Sequence, residues 1–148
     1  GEKYSPEGIE EALVEKSPHI DQVMLYNNQS NYTTAVVVPN RDQLTRTLKA
    51  QNLDLTTEDG RKAALKVLDG ELNKFKKGGE FEGMFPERWL PSCFAVLAEP
   101  FTEQNQMINS TMKMVRGKIE KAYADRIKYM YTSEGKQLLN QQNIDALK

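Results

Sequence analysis

Lys113, Arg116, Lys118, Lys121, Arg126 and Lys128 crowd the segment from 107 to 131, where Glu120 and Asp125 are the only carboxylates. Such a cluster offers positive charge to a phosphate or a carboxylate, and Lys113 is the cation best placed to be aimed. It falls in a short polar stretch between a strand-like apolar run, closing near Phe101, and a helical pattern that begins near Val115. Charge alone leaves two readings open. The plainer one is the solvated face of an amphipathic helix, since lysine is seldom buried or constrained. The sharper one assigns Lys113 and Arg116 to an anion supplied together with a partner domain.

Other chemistry is scarce. His19 is the one histidine and Cys93 the one cysteine, so neither a His/Cys metal set nor a Cys/His nucleophile pair can be assembled, and no metal site is expected. Cys93 lies in an apolar run without a disulfide partner, which makes the cytoplasm the expected compartment. His19 is expected at the surface ahead of a strand. No Gly-x-x-x-x-Gly-Lys-Ser/Thr loop and no Gly-x-Gly-x-x-Gly turn occurs, so a self-contained nucleotide pocket is not expected. The pairs Glu10-Glu11 and Glu58-Asp59 sit at helical positions that favour solvated faces, which argues against paired acid–base catalysis.

The elements that must position Lys113 follow from pattern. With 148 residues one core is expected, and 20 basic against 21 acidic residues give a net charge of -1, too balanced for a general grip on nucleic acid or an anionic membrane. No apolar run nears the ~18 residues of a spanning helix and no signal-peptide pattern opens the chain, so a soluble domain is expected. Ser5-Pro6 reads as N-cap and first turn of a helix over 6–16, with Ile9 and Leu13 on its apolar stripe and the cap resting on Ser5 alone because Gly8 replaces a capping-box glutamate. Strands are expected at 23–26 and 32–38, joined across five polar residues as a hairpin, the second a central strand covered on at least one face. Helices over 41–51 and 57–76 follow, the latter carried by Ala64, Leu65, Leu68, Leu72 and Phe75. Phe81, Met84, Phe85 and Trp89 then form a loop read either as a satellite cluster or as a ligand platform.

A third strand is expected at 93–98 between Pro91 and Pro100, then a turn at 102–106, and then a helical stripe from Val115 through Ile119, Ala122 and Tyr123 to Met130, interrupted near Ala124. The tail 133–148 carries Leu138, Leu139, Ile144 and Leu147, and is expected to be a helix packing on a partner. The fold class is α+β: a three-stranded sheet containing a β-hairpin, with flanking helices.

Two separated stretches resemble one family. Gly1-Glu2-Lys3-Tyr4-Ser5-Pro6-Glu7-Gly8-Ile9-Glu10 resembles the Gly-Glu-x-Ile-Ser-x-x-Glu-Ile-Glu motif that follows the hinge in AMP-forming acyl-CoA synthetases, the adenylate-forming ligases. Ile108-Asn109-Ser110-Thr111-Met112-Lys113-Met114-Val115-Arg116 resembles that family's closing motif, Leu-Thr-Pro-Thr-x-Lys-x-x-Arg in long-chain members. Between them, residues 21–26, 35–40 and 98–102 are also similar to the long-chain branch, as is the insert over 41–91.

The resemblance implies the C-terminal lid domain, spanning 1–148, of a long-chain fatty acid–CoA ligase, which activates a fatty acid with ATP to an acyl-adenylate and then forms the acyl-CoA thioester. It implies that ATP, fatty acid and magnesium are held by an N-terminal adenylation domain of the same polypeptide, that the isolated fragment is inactive, and that peripheral membrane association of the full enzyme is compatible with its substrate. On this reading Lys113 is the adenylation lysine, Arg116 supports phosphate binding, and Gly1, Glu2, Lys3 and Tyr4 border the coenzyme A tunnel once the lid rotates. A sequence opening inside a motif, without methionine, is expected to be an excised piece, and Gly1 is either native or a cleavage remnant. Tyr4 replaces the family's isoleucine, and Asn109-Ser110 replace Thr-Pro, from which a less rigid lysine loop is expected. The alternative function is a non-catalytic α+β interaction module that binds an anionic partner through its basic final helix.

Overall fold

The computed structural model describes residues 4–148, so the tunnel roles expected of Gly1, Glu2 and Lys3 lie outside the described residues. Helix α1 (Pro6–Glu15) opens with proline in its first turn, where the missing N–H costs no intrahelical bond. The cap departs from expectation: Ser5 has extended backbone geometry, but its side chain accepts no bond from the helix. Burial of Ile9 and Leu13 therefore carries this helix.

Strands β1 (Ile20–Tyr26) and β2 (Thr34–Pro39) pair antiparallel as the expected hairpin, and β3 (Cys93–Val96) joins β2 in parallel. The order β1-β2-β3 puts β2 in the centre, where every residue is buried. Its β-branched run is thus covered on both faces, more fully than its sequence required.

Between β2 and β3 the chain forms α2 (Arg41–Lys49) and α3 (Glu58–Asn73), capped by Asn40 and Thr57, whose side chains accept from the N–H groups of Gln43 and Gly60. After β3 come α4 (Arg116–Ala122) and α5 (Ala124–Tyr129), separated at Tyr123, and then α6 (Gln141–Ala146). The sheet divides the core. On one face Val23, Leu25, Ala35, Val37, Phe94 and Val96 pack with α1, α2, α3 and α6; on the other Met24, Val36, Val38 and Ala95 pack with Phe101, Met107, Ile119 and Ile127.

Two sequence expectations are corrected here. The tail does not await an outside partner, because Ile144 and Leu147 are buried against α3 and β3 within this same core. His19 is largely buried, its Nδ1 donating to Glu71 (3.2 Å) and its Nε2 bonded to the Thr47 hydroxyl (2.7 Å), so tying the entry to β1 to both insert helices. The aromatic loop is a satellite cluster: Phe81 and Phe85 lie 5.1 and 6.2 Å from the ring of Phe75, and with Trp89 they pack on the first core face.

Candidate functional site

The stretch carrying Lys113 folds back on itself. Ile108 bridges Met114 in antiparallel fashion, the Asn109 N–H donates to the Lys113 carbonyl (2.9 Å), and the Met112 N–H donates to the Asn109 carbonyl (2.9 Å). Inside the turn the Asn109 carboxamide oxygen accepts from the N–H groups of Thr111 and Lys113, each at 3.0 Å, and from the Thr111 hydroxyl at 2.8 Å. Loss of the family's Thr-Pro therefore does not leave the loop slack. An asparagine that bonds its own following backbone supplies local order by another route. Met112 at the tip has a φ of +64°, in the left-handed region that an unbranched side chain enters only at a cost of roughly 1–2 kcal/mol.

The base of this turn is fastened to the protein. The N–H groups of Met107 and Ile108 both donate to the Thr102 carbonyl (3.1 and 3.2 Å), and the Val115 N–H donates to the Met107 carbonyl (2.8 Å). Ile108 and Met114 pack on the second core face, while Met112, 70% exposed, and Lys113 project into solvent. Among the described residues Lys113 has no ion-pair partner. Within that set it is an exposed cation on an ordered mount.

Arg116, three residues on, is differently placed. Its guanidinium grips Glu10 in a two-pronged pair, with Nη1 donating at 3.0 Å and Nη2 closer still, and Glu7 lies 3.8 Å away. Glu10 is only 4% exposed and also accepts the Leu25 N–H at 2.6 Å. Its predicted solvated position is overturned, because the helix face it occupies turns toward the open edge of β1. Burial raises the Glu10 carboxyl above the ordinary range, with Arg116 and the Leu25 amide opposing that shift. The hydrogen bonds that Arg116 donates to Glu10 in turn raise the guanidinium.

Lys113, Arg116, Glu7, Glu10, Val14 and Gln22 share the wall of one cleft of about 690 Å³ between α1, β1 and the lysine turn. Tyr4 stands outside that wall, its ring edge-on to Trp89 at 5.7 Å. Its phenol is pushed up to about 12 by burial and by the Glu10 carboxylate. Lys113 and Arg116 are thus brought together on one surface. Sequence reasoning missed Glu10, and the signal that was available was Ile9-Glu10 ending the post-hinge motif.

An ordered cation beside an open cleft suits half of a site. No family model matches the chain. It is 26% identical over 139 residues to a probable chloroplastic acyl-activating enzyme of Arabidopsis thaliana, covering 88% of this chain and 17% of that protein. It is also 26% identical over 138 residues to fatty acyl-CoA synthetase B of Dictyostelium discoideum, covering 89% of this chain and 19% of the other.

The fold matches the A-PCP didomain of carboxylic acid reductase from Segniliparus rugosus, solved in complex with AMP, with a TM-score of 0.65 at 25% identity over 86% of this chain and 16% of that one. At this modest identity the chain is similar to a small domain of the adenylate-forming superfamily. The chain spans less than a fifth of the length of these relatives. Its homologues are enzymes.

Proposed function

We propose that this domain is the lid of a long-chain fatty acid–CoA ligase and that Lys113 serves the adenylation half-reaction. The carrying observation is the exposed ammonium of Lys113 on a turn fastened by Asn109 and Thr102. A large N-terminal domain of the same polypeptide would hold ATP with its magnesium and the fatty acid. The lid would then bring Lys113 between the attacking carboxylate and the α-phosphate, where a fixed cation stabilises the charge that develops as the acyl-adenylate forms and pyrophosphate leaves. No proton need move at Lys113. Its contribution is electrostatic, and the ordered turn reduces the cost of placing it.

In the second half-reaction the lid would rotate, withdraw Lys113 and present the post-hinge segment ahead of α1 to coenzyme A, whose thiol attacks the adenylate carbonyl and displaces AMP. Tyr4, at the start of the described residues and ring-on-edge to Trp89, would belong to that segment. A second reading is favoured by the likeness to carboxylic acid reductase, in which the activated acid goes on to reduction. The two readings share the first step and part at the acceptor.

The test separates half-reactions in the full-length protein. Lys113→Ala is expected to lower ATP–pyrophosphate exchange with long-chain fatty acids by about 10² to 10³, the scale of removing one transition-state donor. Thioester formation from supplied acyl-adenylate and free coenzyme A should persist. Equal loss in both halves would reject the assignment of Lys113 to one step, and adenylate formation without any transfer to free coenzyme A would favour the reductase reading.

A further inference from the structure

The resemblance hands Arg116 to a phosphate, yet both terminal nitrogens of its guanidinium face Glu10. Arg116 is the first residue of α4 and follows the bridge residue Met114 by two positions, so whatever holds Arg116 holds the C-terminal leg of the lysine turn. Glu10 is anchored in its own right. It sits on α1, is buried, and accepts the Leu25 N–H that β1 turns away from β2. The chain from α1 to Arg116 therefore crosses the sheet edge and joins the two layers at the cleft that carries Lys113.

We propose that Glu10 is a positioning residue for Lys113, acting through Arg116 to make the lysine turn and the post-hinge helix α1 one rigid body. This deepens the ligase reading and rests on it. A two-pronged guanidinium–carboxylate pair fixes orientation as well as distance, which a lysine in the same place cannot do. The lid would then carry the elements for both half-reactions without play between them, so that rotation of α1 about the hinge is transmitted to Lys113 in full. Arg116 accordingly spends its charge on Glu10 and leaves the substrate phosphate to Lys113.

Phosphate binding and positioning predict different kinetics. Loss of a phosphate ligand raises KM for ATP, whereas loss of orientation lowers kcat with KM little changed. In the full-length protein Glu10→Gln, which keeps an acceptor for the Leu25 N–H, is expected to lower kcat for adenylation by between about 10- and 100-fold, the scale of a misplaced catalytic group. KM for ATP should stay within about twofold, and so should transfer from supplied acyl-adenylate. Arg116→Gln should match it, the double variant should be no worse than either single, and Arg116→Lys should recover only part of the loss.

Asn143→Ala, which disturbs the opposite edge of the sheet, serves as the structural control and should leave adenylation per folded molecule unchanged. A raised KM for ATP in Arg116→Gln, additive losses in the double variant, or equal loss in both half-reactions would overturn the proposal. Should Glu10→Gln fail to fold, the Arg116→Gln and Arg116→Lys pair decides the matter, since that side chain is partly exposed. Normal adenylation in Lys113→Ala would overturn the ligase reading and this proposal together. Impaired Lys113→Ala beside normal Glu10→Gln would overturn the positioning role alone.

Discussion

Single buried polar side chains decide more of this structure than their sequence context suggests. Glu71 on α3 is 4% exposed and binds His19 at 3.2 Å and Lys74 at 2.7 Å. Burial alone would raise its carboxyl, but the bonds from Lys74 and His19 outweigh that and hold it below the ordinary glutamate range. A depressed acid contributes stability that is present above its unfolded value of about 4.3 and is lost as pH falls through the folded value. We expect Glu71→Gln to cost about 2 kcal/mol near neutral pH, and the gap to the parent protein to close as pH drops below about 4. Urea unfolding of both proteins across that range measures it, and a gap that widens on acidification would contradict the sign. His19, ahead of a strand, and Glu10, on a charged helix face, were both misread from sequence because a polar residue looks solvated until a distant partner is known. Those partners lie 52 residues away from His19 and 106 from Glu10.

At the scale of elements, the three strands were legible because short apolar runs bounded by proline or polar turns, β-branched in β2, have few other solutions. The closure of the sheet's free edges was not. Both edges use the same device. On β1, Glu10 of α1 accepts the Leu25 N–H and an α4 arginine; on β3, Asn143 of α6 accepts the Val96 N–H (3.0 Å) and Nη2 of Arg126 of α5 (3.1 Å). Asn143 also donates from Nδ2 to the carbonyls of Phe94 (3.1 Å) and Leu138 (3.2 Å). One side chain from a helix on the first face thus satisfies an edge strand and receives an arginine from the second face, which removes an open template for strand pairing. Asn143→Ala strands a buried N–H and a buried C=O together, so a loss of about 2 to 4 kcal/mol is expected by denaturant unfolding. A loss below about 0.5 kcal/mol, typical of a surface change, would show that water replaces the carboxamide.

For the molecule as a whole, the division into two core layers explains why the tail could not be placed from sequence. Its apolar residues are few and weakly periodic, and on pattern alone a helix of only six residues has no independent stability. Its worth is tertiary: Ile144 and Leu147 complete the first layer, and Asn143 closes β3. Burying two such aliphatic side chains is worth roughly 1.5–3 kcal/mol each, and losing the Asn143 bonds adds a similar amount. That sum approaches the 5–15 kcal/mol, roughly, that holds an average domain together. A protein ending at Thr132 is therefore expected to lose its cooperative thermal transition, exposing apolar surface of α3 and β3 to solvent, whereas the sequence-based expectation of a tail made for another partner predicts an unchanged transition. Calorimetry on the two lengths separates these outcomes. Because α6 lies on the layer opposite the lysine turn, point changes that weaken its packing should lower the amount of folded protein while leaving the Lys113 half-reaction, per folded molecule, intact.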